Sequence, residues 1–345
     1  MTAEPVIGWD LGGAHLKAAR LDATGRVEDV VQVACPLWLG MEHLHAAVRA
    51  AVDQLGEIRL HAVTMTGEMV DLFPDRASGV TQLVATMQRE LPRAEIHFYA
   101  GDTGFLLAEH AAAHPAELAS ANWLASAACI ATRIADGLFI DIGSTTTDLI
   151  PIVAGRVAAR GRNDFERLVA GELLYSGVIR TPLMALVPAV PFAGEWVPLM
   201  AEHFATTADI YRLTDRLPDG ADLHPAADGG EKSVAGSARR LARMIGRDAG
   251  SAKLKDWRQL AQWLSGAQLG SIEAACARLG TQHQMEEGAT IIVAGVGRFL
   301  AKEIASQCGW KYLDFADLLP HNDGMGKRMS DCAPAVAVAW LLPRG

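Results

Sequence analysis

Two short stretches of this chain gather residues suited to phosphate and metal chemistry. Asp10-Leu11-Gly12-Gly13-Ala14-His15-Leu16-Lys17 puts a carboxylate at the end of an apolar run, then glycines, then an ammonium. Glycines without Cβ atoms let a backbone approach a phosphate closely, and consecutive N–H groups in such a turn can cradle an anion. A strand-end carboxylate can hold Mg2+ directly or through water. Asp141-Ile142-Gly143-Ser144-Thr145-Thr146-Thr147-Asp148 repeats the theme with four consecutive hydroxyl residues between two aspartates. Hydroxyls suit phosphate oxygens, and Asp141 suits a metal. Either stretch also reads as a tight hairpin. A third, Ile291-Ile292-Val293-Ala294-Gly295-Val296-Gly297-Arg298, is an apolar strand opening through two glycines into a helix, where a ligand can come close. Leu300 stands where a third glycine would complete a dinucleotide fingerprint, so a Rossmann site is disfavoured.

The elements that must position these residues repeat. Residues 6–11, 14–21 and 27–34 read as an antiparallel meander around Gly12-Gly13. A helix over 41–55, a strand over 60–66, a helix over 80–91 and a strand over 95–99 follow. An Ala-rich stretch over 103–134 reads as helix, broken at Pro115. The opening pattern then returns over 138–142, 149–153 and 156–160. Such a duplication predicts an α/β protein of two similar domains facing a cleft, residues 1–135 and 136–345. Prolines from Pro182 to Pro198 mark a loop-rich connection, and a helical insertion is expected over about 195–285. A last αβ unit (290–315) and a C-terminal connecting helix (333–342) complete the second domain.

Composition narrows the function. The 345 residues are 50% hydrophobic and 21% charged, which excludes a disordered or collagen-like chain. With 31 basic against 40 acidic residues the net charge is -9, which argues against nucleic-acid or anionic-membrane partners and allows a local basic pocket. Apolar runs near 123–134 and 333–342 fall short of a membrane span. No secretory leader is expected ahead of Val6. Five cysteines without C-x-x-C spacing read as buried hydrophobes of a reducing cytoplasm. Neither the histidines nor the aspartates between 209 and 228, read as turn formers, suggest a transition-metal site. Arg239, Arg243 and Arg247 share one helical face, read as solvated, with capture of a carboxylate-rich substrate arm as the alternative.

In this order and spacing, the three motifs resemble the phosphate-1, phosphate-2 and adenosine segments of the superfamily of acetate and sugar kinases, Hsp70 and actin. That resemblance implies two ribonuclease H-like domains of the actin and sugar-kinase type. A closer resemblance rests on residues 140–148 with Gly171-Glu172-Leu173-Leu174-Tyr175-Ser176-Gly177-Val178-Ile179-Arg180-Thr181-Pro182. It extends to Phe204-Ala205-Thr206-Thr207-Ala208-Asp209-Ile210-Tyr211 and Ala238-Arg239-Arg240-Leu241-Ala242-Arg243-Met244. These are similar to a branch of the hydantoinase A/oxoprolinase-like proteins linked to tetrahydromethanopterin-dependent C1 transfer.

What that resemblance implies is a cytoplasmic transferase of methanofuran-type cofactor synthesis. It would join an (aminomethyl-furanyl)methyl diphosphate to the phenol of a tyramine- or tyrosine-derived acceptor, releasing pyrophosphate. The expected cofactor is Mg2+ on Asp10 and Asp141, with ATP binding left open and not required. Gly12, Gly13, Lys17, Gly143, Ser144, Thr145, Thr146, Arg180, Gly295 and Gly297 are the candidate phosphate contacts. Asp10, Glu68 and Glu172 are the candidate catalytic carboxylates, with Asp71 and Asp102 weaker versions of the same case. Partners are expected to be small molecules, and a homo-oligomer is left open. The phosphate motifs alone would favour an ATP-dependent small-molecule kinase, and a nucleotide-dependent scaffold is the third reading.

Overall fold

The six residues Val6–Leu11 (β1) are all buried, because both faces of this strand are covered. Ile7, Trp9 and Leu11 pack against the helices Met41–Leu55 and Arg76–Glu90. Val6, on the other face, packs against the helices Asn122–Ala131 and Ala333–Leu341. Alternation along a strand puts Gly8 and Asp10 on that second face. The computed structural model describes residues 4–285 and 288–343.

Around β1 lie His15–Leu21 (β2), Val27–Ala34 (β3), Leu60–Met65 (β4), Glu95–Tyr99 (β5) and Phe105–Leu107 (β6), in the order β3-β2-β1-β4-β5-β6. β1 to β3 are an antiparallel meander, while β4 and β5 run parallel to β1. Parallel neighbours need a crossover, and the helices Met41–Leu55 and Arg76–Glu90 supply it.

The second half repeats the plan. Gly137–Ile142 (β7), Thr147–Val153 (β8) and Arg156–Val157 (β9) form the meander, and the short Leu173–Leu174 (β10) also pairs with β8. Ala189–Phe192 (β11) and Glu195–Pro198 (β12) make a separate hairpin. Thr290–Ala294 (β13) runs parallel to β7, and Lys311–Asp314 (β14) runs parallel to β13. The helix Arg298–Cys308 joins these last two strands. A meander continued by parallel strands, present twice, is the ribonuclease H-like plan of actin and the sugar kinases.

Between β9 and β13 the chain rejoins this sheet only at the short β10. The span expected as helical over about 195–285 holds the helices Thr207–Leu213, Val234–Arg243 and Leu254–Gln282, and the departure already begins with the helix Asp164–Ala170. A continuous helix over 103–134 does not form. Gly104 (φ 85°) and Ser120 (φ 51°) take left-handed conformations, and only the short helices Ala108–Ala111 and Pro115–Leu118 precede Asn122–Ala131. One hydrophobic core is shared by both sheets and the helices Asn122–Ala131 and Ala333–Leu341. The five cysteines are free, four of them buried. Among the described residues no helix is long and apolar enough to cross a membrane.

Candidate active site

The two sheets present equivalent hairpins to one cleft. In β1–β2, Asp10 lies directly opposite Lys17; in β7–β8, Asp141 lies directly opposite Asp148. The next pairs, Leu11–Leu16 and Ile142–Thr147, close loops of four residues, Gly12 to His15 and Gly143 to Thr146. The loops are pinned by the Gly12 N–H donating to the His15 carbonyl (3.1 Å) and the Gly143 N–H to the Thr146 carbonyl (2.9 Å). The duplication thus brings three aspartates and one lysine to corresponding positions. The cleft has a volume of about 550 Å3. It is lined by both loops, by Asn122 and Trp123 at the start of one central helix, and by Pro334 at the start of the other. Helix N-termini carry partial positive charge, so both central helices favour an anion there.

Asp10 is 4% exposed, and its Oδ1 has no hydrogen-bond partner. Burial lifts its carboxyl to about 6, against the opposing pull of Lys17 and Asn122. Burial likewise lifts Asp141 to about 7, again opposed by Lys17. For Lys17, burial disfavours the ammonium, but Asp10, Cys332, Asp141 and Asp331 more than offset it and raise its pKa. Asp148 is already paired: the buried Arg167 guanidinium donates to its Oδ1 at 2.6 Å and stacks 4.1 Å over the Trp123 ring. Arg180 lies 4.9 Å over Trp38 and donates to Thr145 Oγ1 at 3.5 Å. Among the described residues no carboxylate pairs with it. His15 is held neutral, its pKa lowered to about 3 chiefly by burial.

The carboxylates lining the cleft are Asp10, Asp71, Asp141, Asp148 and Asp164; the cations are Lys17, Arg167 and Arg180. A diphosphate entering such a site needs further positive charge. The oxygens of Asp10 and Asp141 are hard donors, and the orphaned Asp10 Oδ1 is positioned to take a cation. Among the described residues no three His, Cys, Asp or Glu side chains converge as a metal cage. Two carboxylate donors are a set that Mg2+ can use, since it completes its shell with water and phosphate oxygens.

Ten of the residues singled out from sequence line this cleft together: Asp10, Gly12, Gly13, Lys17, Asp141, Gly143, Ser144, Thr145, Thr146 and Arg180. Glu68 lies beneath the wall, accepting a hydrogen bond from the cleft-lining Ser120 hydroxyl at 3.0 Å. Three expectations fail. Glu172 is fully buried away from the cleft, its two oxygens accepting the Arg160 and Gly161 N–H groups at 2.6 and 3.0 Å, so it anchors a loop and is no base. Gly295 and Gly297 serve packing. A Cβ at Gly295 (φ 83°) would strike the Asp141 carboxylate and the Ile142 carbonyl, and one at Gly297 would strike the Ile142 and Val178 side chains. Asp71 lines the cleft, whereas exposed Asp102 pairs with Arg162. Asp209 is no turn former either: buried Arg240 holds it at 2.8 Å, and Arg243 pairs with Asp228.

Sequence reasoning missed Ser120, Asn122, Trp123, Trp38, Tyr175, Asp164 and Arg167. All stand outside the glycine-rich motifs and reach the cleft only through tertiary packing.

The profile of the hydantoinase/oxoprolinase family matches residues 59–339. The chain belongs to that family. It is 26% identical over 340 residues to the (4-{4-[2-(gamma-L-glutamylamino)ethyl]phenoxymethyl}furan-2-yl)methanamine synthase of Methanocaldococcus jannaschii, covering 98% of each chain. The synthase of the same name from Methanococcus vannielii is 28% identical over 209 residues, 59% of this chain and 90% of that one. Among solved structures, a ROK-family glucokinase from Streptomyces griseus superposes over 97% of this chain and 98% of its own, with a TM-score of 0.47 and 14% identity.

Proposed function

We propose that this member of the hydantoinase/oxoprolinase family is a transferase of methanofuran-type cofactor synthesis. It alkylates a phenol with an (aminomethyl-furanyl)methyl diphosphate. The observation that carries this reading is the end-to-end likeness to a synthase whose named product contains a phenoxymethyl-furan ether. The cleft supports it: two phosphate-type hairpins face each other beside the aromatic rings of Trp38, Trp123 and Tyr175, which suit flat furan and phenol rings.

In this reading the Gly12-Gly13 and Gly143 to Thr146 loops hold the diphosphate through N–H and hydroxyl donors. Lys17 and Arg180 meet the charge that develops as the C–O bond breaks. Mg2+, held by Asp10 and Asp141, would neutralise the leaving diphosphate. The acceptor oxygen forms the new bond to the furan-methyl carbon, and pyrophosphate departs with the electron pair. Both reactants are small molecules, so the reading needs no nucleic acid and no membrane.

The test is purified protein with Mg2+, the furan diphosphate and a panel of tyramine, γ-glutamyltyramine and tyrosine, with and without ATP. The expected result is pyrophosphate and an aryl ether in equal amounts, independent of ATP. ATP consumption without ether would overturn the reading in favour of a kinase.

A further inference from the structure

The transferase reading leaves the acceptor proton without a destination. Asp10 and Asp141 are occupied as the cation ligands of that reading, and Glu172 is tied to backbone. One cleft-lining group is linked to a buried carboxylate. Ser120 is 5% exposed and lines the cleft. It donates to Glu68 Oε1 at 3.0 Å, while Glu68 is 1% exposed with Oε2 lacking any partner. Ser120 is also held at φ 51°, a conformation a serine adopts at a cost of order 1 kcal/mol and keeps only when its surroundings impose it. The helix Arg76–Glu90 fixes Glu68 from below, since a Cβ at Gly79 would meet the Glu68 backbone at 2.7 Å.

We propose that Ser120 is a catalytic residue that relays the acceptor proton to Glu68. This rests on the transferase reading. As the acceptor oxygen attacks the furan-methyl carbon, its proton passes to Ser120 Oγ, and the Ser120 proton passes to Glu68 Oε1. The serine ends unchanged, Glu68 ends protonated, and pyrophosphate carries away the electrons of the broken C–O bond. Glu68 acts only through Ser120.

The charged groups facing Glu68 are Asp164, from the helix Asp164–Ala170, and Arg76, from the helix Arg76–Glu90. These two pair with each other at 2.8 Å, and Asp164 Oδ2 lies 3.4 Å from Ser120 Oγ. Burial dominates and raises the Glu68 pKa, which makes the carboxylate a stronger base.

The test compares wild type with Ser120→Ala, Ser120→Gly and Glu68→Gln on tyramine and on 3,5-difluorotyramine, whose phenol is more acidic. Ser120→Gly removes the hydroxyl while relieving the left-handed backbone, so lost activity there is not lost folding. Expected is a loss of about 10²-fold on tyramine in each variant. The loss shrinks on the fluorinated acceptor, and the ascending limb of the kcat/KM pH profile disappears in Glu68→Gln. An equal loss on both phenols, or no loss, would overturn the relay. If wild type makes no ether with any phenol, the transferase reading fails and takes the relay with it; ether formed by wild type with an equal loss on both phenols fails the relay alone.

Discussion

Lys17 stands among acids from both halves of the molecule: Asp10, of its own motif, is its cross-strand partner, and Asp141 and Asp331 act on it from the other half. Replacing it by alanine removes a charge aimed at the leaving diphosphate, and kcat/KM for that substrate should fall by about 10²–10³-fold. An unchanged value in steady-state assays would remove Lys17 from the site. The two raised aspartates make a second prediction. A carboxyl whose pKa rises on folding binds more protons in the folded state, so its contribution to stability falls as pH rises from 3.8 towards about 7. Without metal, Tm should decline between pH 5 and pH 8. Mg2+ should recover it at pH 8 and do little at pH 5, and Asp141→Asn should flatten both responses in differential scanning calorimetry. The hairpin residues were legible in the sequence because strand propensity does not call for Gly12-Gly13 or four consecutive hydroxyls. Glu172 was not, because a carboxylate beside a glycine looks the same whether it faces a cleft or caps backbone amides.

Hairpins need their neighbours to hold them. Gly177 presses on the Gly143 to Thr146 loop, and a Cβ there would strike the backbone of Ser144 and Thr145. Gly177→Ala should cost about 1–3 kcal/mol in urea unfolding and weaken diphosphate binding in calorimetric titration. Gly250→Ala, with nothing within 4 Å of the added carbon, is the matched control and should stay within about 0.5 kcal/mol. Equal behaviour of the two would mean that the loop is not braced by Gly177. Both meanders were readable at this scale, since their alternation and turn glycines are local signals. The segment over 119–123 was not, because alanine runs favour a helix and only packing against the cleft imposes the left-handed turn at Ser120. Spacing put Arg239, Arg243 and Arg247 on one solvated face, and all three are exposed; the neighbouring Arg240, buried on Asp209, was not legible because its partner comes from another helix.

The two halves are joined by an apolar helix pair, and the glycine of β1 sets how close one of them lies. A Cβ at Gly8 would collide with the Ala335 carbonyl and meet the Ala339 Cβ at 2.7 Å. Gly8→Ala should therefore cost about 3 kcal/mol. Because one core serves both sheets, the whole urea transition should shift as a single step; two separate steps would contradict the shared core. The duplication was legible as a repeated pattern, and with it the cleft. How the halves face each other was not, since Asp10, Asp141 and the segment at 120–123 meet only through this helix pair. The central claim is alkyl transfer from a diphosphate. It is tested most directly by placing 18O in the bridging C–O–P oxygen of the furan diphosphate and following the label by mass spectrometry during turnover with tyramine. Transfer predicts that all the label leaves in pyrophosphate while the ether keeps the unlabelled phenolic oxygen; label retained on the furan-methyl group would mean that the P–O bond breaks and would contradict the account.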